Sequence, residues 1–181
     1  MLVSLFLIGA SMTTPQMSAQ TASQTIVENS EDGMARAVNR MAGGIISYAR
    51  WPNRTADSPR AMCVVGTPRL TNRLAPDVPG AGSVLVRRLS AAAVVSRNDC
   101  DILFLGRMTV ADRRQLIAWV RGRPVLTMTD DDAPCIYGAM FCLMERGASL
   151  SFSVNLDAIA RGPLRIDPRV LSIARNEGGT P

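Results

Sequence analysis

Apolar and polar positions recur along the chain with two different periods, and these periods predict its helices and strands. From Met34 to Tyr48, apolar residues return at spacings of four and three, which is typical of one face of an amphipathic helix. This helix is expected to begin at Ser30, which is followed by two acids at the positive end of the helix dipole. It is expected to end at Trp51, because a residue before proline avoids helical backbone.

The middle of the chain contains short apolar runs that are separated by turn residues, as is typical of buried strands. The predicted strands cover residues 61–66, 83–89, 101–105 and 124–129. Between the last two, Thr109 is a helix cap with Asp112 three residues later, and Gly122 follows the end of this helix. Strands that alternate with helices imply right-handed crossovers and a mainly parallel sheet.

The pattern changes in the last third of the chain. Two apolar runs, 140–144 and 150–154, are separated by Glu145-Arg146-Gly147, which predicts an antiparallel hairpin. A short helix is predicted over 156–160, and Asp167 caps the last helix, with proline at its first position. The predicted fold class is therefore α/β: one compact Rossmann-like domain over 30–176, with a mainly parallel sheet and a carboxyl-terminal antiparallel hairpin, followed by a flexible tail at 177–181.

The first residues have the pattern of an export signal. Residues 2–10 form an uncharged apolar run with the length of a signal-peptide core, too short to span a bilayer. Met17-Ser18-Ala19 then places a small residue before a cleavage point. We expect a signal peptide over 1–19, a flexible amino terminus over 20–29 and an exported mature protein. The alternative is that the apolar run forms a buried strand or helix.

Composition excludes several classes of function. The 181 residues include 20 basic and 15 acidic residues and no His, for a net charge of +5. Without His, Ser-His-Asp and Cys-His catalysis and all His-containing metal sites are excluded. The basic residues, all Arg, are dispersed, which argues against nucleic-acid binding. Gly66 follows a predicted strand without a dinucleotide-binding or P-loop motif, so no cofactor is expected.

The four cysteines are expected to pair, because an exported protein folds in an oxidising compartment. Four cysteines allow three connectivities. Cys135 and Cys142 flank Gly138 and can close a local loop, which leaves Cys63 and Cys100 for a long-range bridge between neighbouring strands. The alternative is a zinc site that uses all four thiolates, but neither spacing has the C-x2-C form that such sites favour.

Two further groups of residues are candidates for ligand binding. Asp130-Asp131-Asp132 follows a predicted strand, where it would form either a solvated turn or a site for Ca²⁺ or Mg²⁺. Arg50 and Trp51 offer a cation and an aromatic face to an anionic or planar ligand, and Arg165 would join them if the fold brings it near. The alternative is that Trp51 packs in the core and both arginines face solvent.

Polar and apolar residues alternate at the end of the predicted hairpin. If this segment is a strand, the polar side chains from Ser153 onward point to one face and those of Phe152 and Val154 point to the other. Asn155 is expected to cap the following helix. Ile159 lies on that helix and is either exposed to a partner or part of the core. No nucleophile, base and oxyanion site come together, so these residues indicate a binding module.

The order of the segments resembles the YfiR family of periplasmic regulators. The residues that carry the resemblance are GIISYARWP at 44–52, MCVVG at 62–66, DCDILF at 99–104, GRPVLTMTDD at 122–131, FSVNLDA at 152–158 and LRIDPRVLSIA at 164–174. The resemblance covers about Met34 to Ala174, and all four cysteines match positions of cysteines in the family. It implies a compact α/β domain that is a repressor and not an enzyme.

The resemblance further implies the partners. Such a repressor binds the periplasmic sensor region of an inner-membrane diguanylate cyclase and lowers cyclic-di-GMP and biofilm formation. An outer-membrane lipoprotein of the OmpA type sequesters it, the redox state of its disulfides tunes its folding, and a homodimer is left open. By this resemblance, the residues expected to contact the cyclase are Ser153, Asn155, Leu156 and Ile159. Those expected to line a small-ligand pocket are Arg50, Trp51, Arg165 and Asp167. The alternative function is a periplasmic small-molecule sensor.

Overall fold

A computed structural model describes residues 21–25, 31–52, 54–55, 58–78 and 82–173. The predicted signal peptide, the helix start at Ser30 and the predicted tail lie outside these residues. The strands are β1 (Thr21–Thr25), β2 (Ala49–Arg50), β3 (Arg60–Val65), β4 (Val84–Arg88), β5 (Ile102–Leu105), β6 (Leu126–Thr129), β7 (Phe141–Arg146), β8 (Ser149–Val154) and β9 (Arg165–Ile166). The helices are α1 (Glu31–Ser47), α2 (Ala91–Arg97), α3 (Val110–Val120), α4 (Leu156–Ala160) and a 3₁₀-helix (Pro168–Ser172).

Seven strands form the central sheet, in the order β1-β8-β7-β6-β5-β3-β4. The pairs β4/β3, β3/β5, β5/β6 and β6/β7 are parallel, whereas β7 and β8 form the antiparallel hairpin. The predicted fold class, α/β with a mainly parallel sheet and a carboxyl-terminal hairpin, is therefore confirmed. None of the helices in the described part of the chain has the length and apolarity needed to cross a bilayer.

Strand β1 corrects one expectation. The polar composition of residues 20–29 predicts a flexible segment, but Thr21–Thr25 pairs antiparallel with β8 at the edge of the sheet. Its residues lack the apolar alternation on which the prediction of strands depends. The backbone ladder with β8 supplies the pairing that the side-chain pattern does not indicate.

Each face of the sheet carries its own core, because successive strand residues point to opposite faces. On one face, Met62, Phe104 and Phe152 pack with α1, whose apolar stripe includes Met41 and Ile45. The other face packs against α2 and α3. Its core includes all four cysteines together with Leu103, Leu105 and Leu116. Helix α2, which the sequence analysis does not assign, begins at Ser90, whose hydroxyl accepts a hydrogen bond from the amide of Ala93.

A second, two-stranded sheet connects the end of α1 to the carboxyl-terminal segment. In it, Ala49 lies opposite Ile166, and Arg50 lies opposite Arg165. The predicted cap of the last helix is confirmed, because the Asp167 carboxylate accepts the amide hydrogen of Arg169 at the start of the 3₁₀-helix. This small sheet therefore brings together residues that are far apart in the sequence.

Candidate functional site

The crevice where open α/β sheets usually bind ligands is filled by the protein's own backbone. Such crevices form at the carboxyl ends of the strands where the chain reverses its winding direction, here between β3 and β5. The loops after these strands pair directly, since the amides of Thr67 and Arg107 each donate to the other's carbonyl (2.9 and 2.7 Å). A Cβ at Gly66 would lie 2.4 Å from the carbonyl oxygen of Arg107. The two loops thus leave no space for a ligand at this point.

The three aspartates after β6 do not form a solvated turn, as the simpler interpretation expects. Asp130 and Asp132 are only 3% and 2% exposed. The Asp130 carboxylate accepts the amide hydrogens of Arg69 and Leu70 (2.7 and 2.9 Å), and burial raises its pKa above the ordinary value. Asp131 forms an ion pair with Arg113 at 3.2 Å. These carboxylates hold loops in place.

The two disulfides that the sequence predicts are present. Cys63 is bonded to Cys100 with a Cα–Cα distance of 5.8 Å, and Cys135 to Cys142 with a distance of 5.5 Å. Among the described residues, the grouping of possible metal ligands is Cys63, Asp99 and Cys100, and its two sulfur atoms are already joined to each other. The zinc alternative is therefore wrong for this oxidised state.

The second disulfide closes the local loop that the sequence predicts, which we call the disulfide loop (residues 135–142). The Asp132 carboxylate holds this loop, since it accepts hydrogen bonds from the amides of Ile136 and Tyr137 (3.2 and 2.7 Å). Both of these side chains nevertheless face solvent, with exposed fractions of 68% and 56%. Two large apolar residues between bridged cysteines are the sequence signal that would have identified this exposed pair.

Three of the four residues predicted to line a ligand pocket come together. Arg50 and Arg165 are paired across β2 and β9, and the amide of Asp167 donates to the carbonyl of Tyr48 (3.0 Å). The Asp167 carboxylate bonds Arg169 (2.6 Å), which lowers the pKa of Asp167 to about 2, and Arg50 contributes a smaller attraction. The result is an exposed cluster with more positive than negative charge.

Trp51 does not take part in this cluster. Its side chain is only 6% exposed and packs in the core. The cation over its ring is the guanidinium of Arg60, at 4.6 Å from the ring centre, and not that of Arg50. Successive residues of extended backbone point in opposite directions, so Arg50 and Trp51 cannot offer one combined face to a ligand. The expectation that they do is wrong.

The four residues predicted to contact a partner lie at the junction of β8 and α4, but they differ in exposure. Ser153 lies opposite Cys142 in the sheet and is 6% exposed, so its side chain is not available to a partner. Asn155 caps α4, as expected, by accepting a hydrogen bond from the amide of Ala158. Its side-chain amide also donates to the carbonyl of Cys135 (3.1 Å), which ties α4 to the disulfide loop.

Helix α4 itself presents one large apolar side chain to solvent. Leu156 at its start is 62% exposed, whereas Ile159 is half-buried and packs against the core on the α1 face of the sheet. The open question about Ile159 is thus resolved in favour of core packing. Leu156 and the capped backbone around it form the accessible part of the predicted contact region, which we call the α4 surface (Asn155, Leu156 and Asp157).

Comparison with known protein families gives a match over most of the chain. Residues 36–175 fit the model of a family that is described as YfiR/HmsC-like. The match runs from α1 through the 3₁₀-helix and includes both disulfides, the α4 surface and the cluster around Arg50.

Proposed function

The chain belongs to the YfiR/HmsC-like family, and from this membership we propose that it is a non-catalytic repressor of a membrane diguanylate cyclase. As a member of that family it is a periplasmic regulator of diguanylate cyclase signalling. The specific proposal is that it binds the periplasmic sensor region of an inner-membrane cyclase and holds the enzyme inactive. Lower cyclic-di-GMP and less biofilm formation would follow.

The observation that supports this proposal is the exposure of Leu156, at 62%, on a helix that is fixed in place. A large apolar side chain that a rigid element holds in solvent gives a partner an anchor that is already ordered. Asn155 supplies that rigidity, since it caps α4 and bonds the loop that the second disulfide closes. A partner that covers Leu156 would therefore gain apolar contact without paying to order the helix.

Two further partners belong to the proposal. An outer-membrane lipoprotein of the OmpA type would sequester the repressor and so release the cyclase. The repressor could act as a monomer or as a homodimer, and sedimentation of the oxidised protein distinguishes these states.

A small-molecule sensor is the second candidate function, and the cluster around Arg50 favours it. Arg50 and Arg165 lie opposite each other in the two-stranded sheet, and the Asp167 carboxylate already forms an ion pair with Arg169. Two arginines with one neutralised carboxylate suit a ligand that carries a carboxylate of its own. A thermal-shift screen with amino acids, nucleotides and metals tests this function, and a ligand that acts here would lose its effect in Arg165→Ala.

Direct binding tests the proposed repressor function. The oxidised protein is titrated against the purified periplasmic region of a diguanylate cyclase from the same genome. We expect saturable binding that Leu156→Arg weakens about tenfold or more, since a charge then replaces an apolar anchor. Leu85→Arg is the matched control, because Leu85 is also 62% exposed but lies on β4, at the opposite edge of the sheet from β1. Equal binding by both variants would contradict the assignment of the α4 surface, and absence of binding to every cyclase would favour the sensor.

A further inference from the structure

A groove runs along α3, between this helix and the disulfide loop. It contains two adjoining cavities of about 570 and 270 Å³, which share Ile117, Arg121 and Tyr137 in their walls. We call this feature the α3 groove. The residues on which its chemistry depends are Met108, Val110, Arg114, Ile117, Arg121 and Tyr137.

The floor of the α3 groove is apolar and open. Val110 and Tyr137 are 66% and 56% exposed, and Ile136 beside them is 68% exposed. The loop cannot collapse to hide these side chains, because Asp132 and the Cys135–Cys142 bridge hold its backbone. Gly138 brings the loop so close to α3 that a Cβ there would lie 2.8 Å from Cγ2 of Ile117. The exposed apolar surface is therefore a fixed feature of the fold.

The walls of the α3 groove carry positive charge that the described residues do not fully neutralise. Arg113 is balanced by Asp131 at 3.2 Å and lies over the ring of Tyr137 at 5.8 Å. Arg114 and Arg121 are exposed, and neither forms an ion pair with a residue in the part of the chain that the structure describes. Two unpaired guanidinium groups beside an apolar floor complement carboxylates that flank an apolar side chain.

We propose that the α3 groove binds an acidic peptide segment of a partner protein, with a large apolar side chain seated against Tyr137 and Ile117. The openness of the groove favours a peptide over a small metabolite, because small-molecule sites enclose most of the ligand's surface. Tyrosine and arginine are also the residue types that contribute most at protein–protein contacts. The smaller cavity reaches Asn155 and Asp157 of the α4 surface, but Leu156 lines neither cavity. Since the proposed repressor contact depends on Leu156, failure of the peptide site would leave that function unaffected.

Two matched peptides test this inference on the intact oxidised protein. One is a short synthetic peptide with glutamates around a central phenylalanine, and the other has lysine in place of every glutamate. Fluorescence anisotropy should show binding of the glutamate peptide only, with an affinity that falls as salt is added. The double variant Arg114→Glu with Arg121→Glu should lose at least about tenfold in affinity for the glutamate peptide and gain binding of the lysine peptide. Tyr137→Ser should weaken binding of the glutamate peptide but should not make the protein prefer the lysine peptide.

A control variant separates a local effect from one of net charge. Arg40→Glu with Arg146→Glu makes the same change in net charge, but Arg40 lies on α1, on the other face of the sheet, and Arg146 lies at the far end of β7. This variant should bind the glutamate peptide about as well as the unmodified protein. Equal losses in both double variants, or no binding of the glutamate peptide, would overturn the proposal. So would sedimentation as a dimer that only the Arg114 and Arg121 variant disrupts, since a second copy would then occupy the groove.

Discussion

Neighbouring carboxylates in the run after β6 have three different environments. Asp130 accepts hydrogen bonds from two backbone amides of a distant loop, and Asp131 forms an ion pair with Arg113. Asp132 accepts hydrogen bonds from the backbone of the disulfide loop and so holds that loop in place. Their adjacency in sequence suggests a shared cation or a solvated turn, but successive residues point in different directions and reach different partners. Each carboxylate therefore has to be understood from its own contacts.

Replacement of Asp130 tests its structural role. Asp130→Ala removes the acceptor of the amides of Arg69 and Leu70, and these donors would be left without a partner. We expect the free energy of unfolding to fall by about 2–4 kcal/mol. Urea denaturation measures this loss, and Asp130→Asn, which keeps one acceptor oxygen, should lose less. Unchanged stability in the alanine variant would contradict the structural role.

The pH dependence of Asp167 tests the charge arrangement around Arg50. Its pKa is lowered from 3.8 to about 2, chiefly by hydrogen bonding to Arg169. A carboxyl whose pKa is lower in the folded than in the unfolded protein stabilises the fold above the unfolded value, and this contribution is lost as the pH falls from 3.8 towards 2. NMR titration of the carboxyl carbon should show the low pKa in the unmodified protein and a rise towards the ordinary value in Arg169→Gln. An identical titration in both proteins would show that Arg169 is not the cause.

Residue-scale prediction from sequence succeeded where chemistry limits the choices. The cysteine pairing follows from spacing and strand neighbourhood, and the caps at Thr109, Asn155 and Asp167 follow from residue type at helix starts. The sequence-based predictions were wrong in placing Ser153 at an exposed contact surface and in expecting Arg50 and Trp51 to present one combined face to a ligand. Both errors concern burial, which depends on distant elements that local sequence patterns do not contain.

At the scale of elements, the strongly patterned segments were predicted within a few residues and the weakly patterned ones were not. Strands β3 to β8, α3 and α4 carry apolar runs or capping residues, and their predicted positions agree with the structure. Helix α2 and strand β1 were missed, because α2 is mostly alanine and valine and β1 is polar. The paired strands β2 and β9 have two residues each, which is too short for an alternation of apolar and polar residues to be recognised.

A pair of adjacent glycines in α1 gives an element-scale prediction. A Cβ at Gly43 would lie 1.8 Å from the carbonyl oxygen of Asp77, whereas a Cβ at Gly44 would meet side-chain atoms of Ile173, the nearest at 3.1 Å. Gly43→Ala should therefore lower the free energy of unfolding by about 3 kcal/mol or more. Gly44→Ala should change it by no more than about 1 kcal/mol, because a gain in helix propensity offsets the tight contact. Chemical denaturation of both variants measures the contrast, and similar losses would contradict the close approach of the Asp77 loop.

At the scale of the whole molecule, the fold separates a closed ligand crevice from open contact surfaces. The loops after β3 and β5 are paired through Thr67 and Arg107 where related topologies bind small molecules. Among the described residues, Leu85 on β4 is one large apolar side chain that remains exposed. The other four lie on α3, α4 and the disulfide loop, where capping and a covalent bridge hold them. This distribution suits a protein that acts through contact with other proteins, in agreement with the regulatory character of its family.

The activity of the cyclase itself is the sharpest test of the proposed repressor function. Cyclic-di-GMP synthesis by a full-length, membrane-embedded diguanylate cyclase from the same genome is measured as the oxidised protein is added. We expect a saturable loss of activity, with Leu85→Arg as effective as the unmodified protein and Leu156→Arg about tenfold weaker or worse. Cyclase activity that stays constant or rises at every concentration of the unmodified protein would exclude the repressor function.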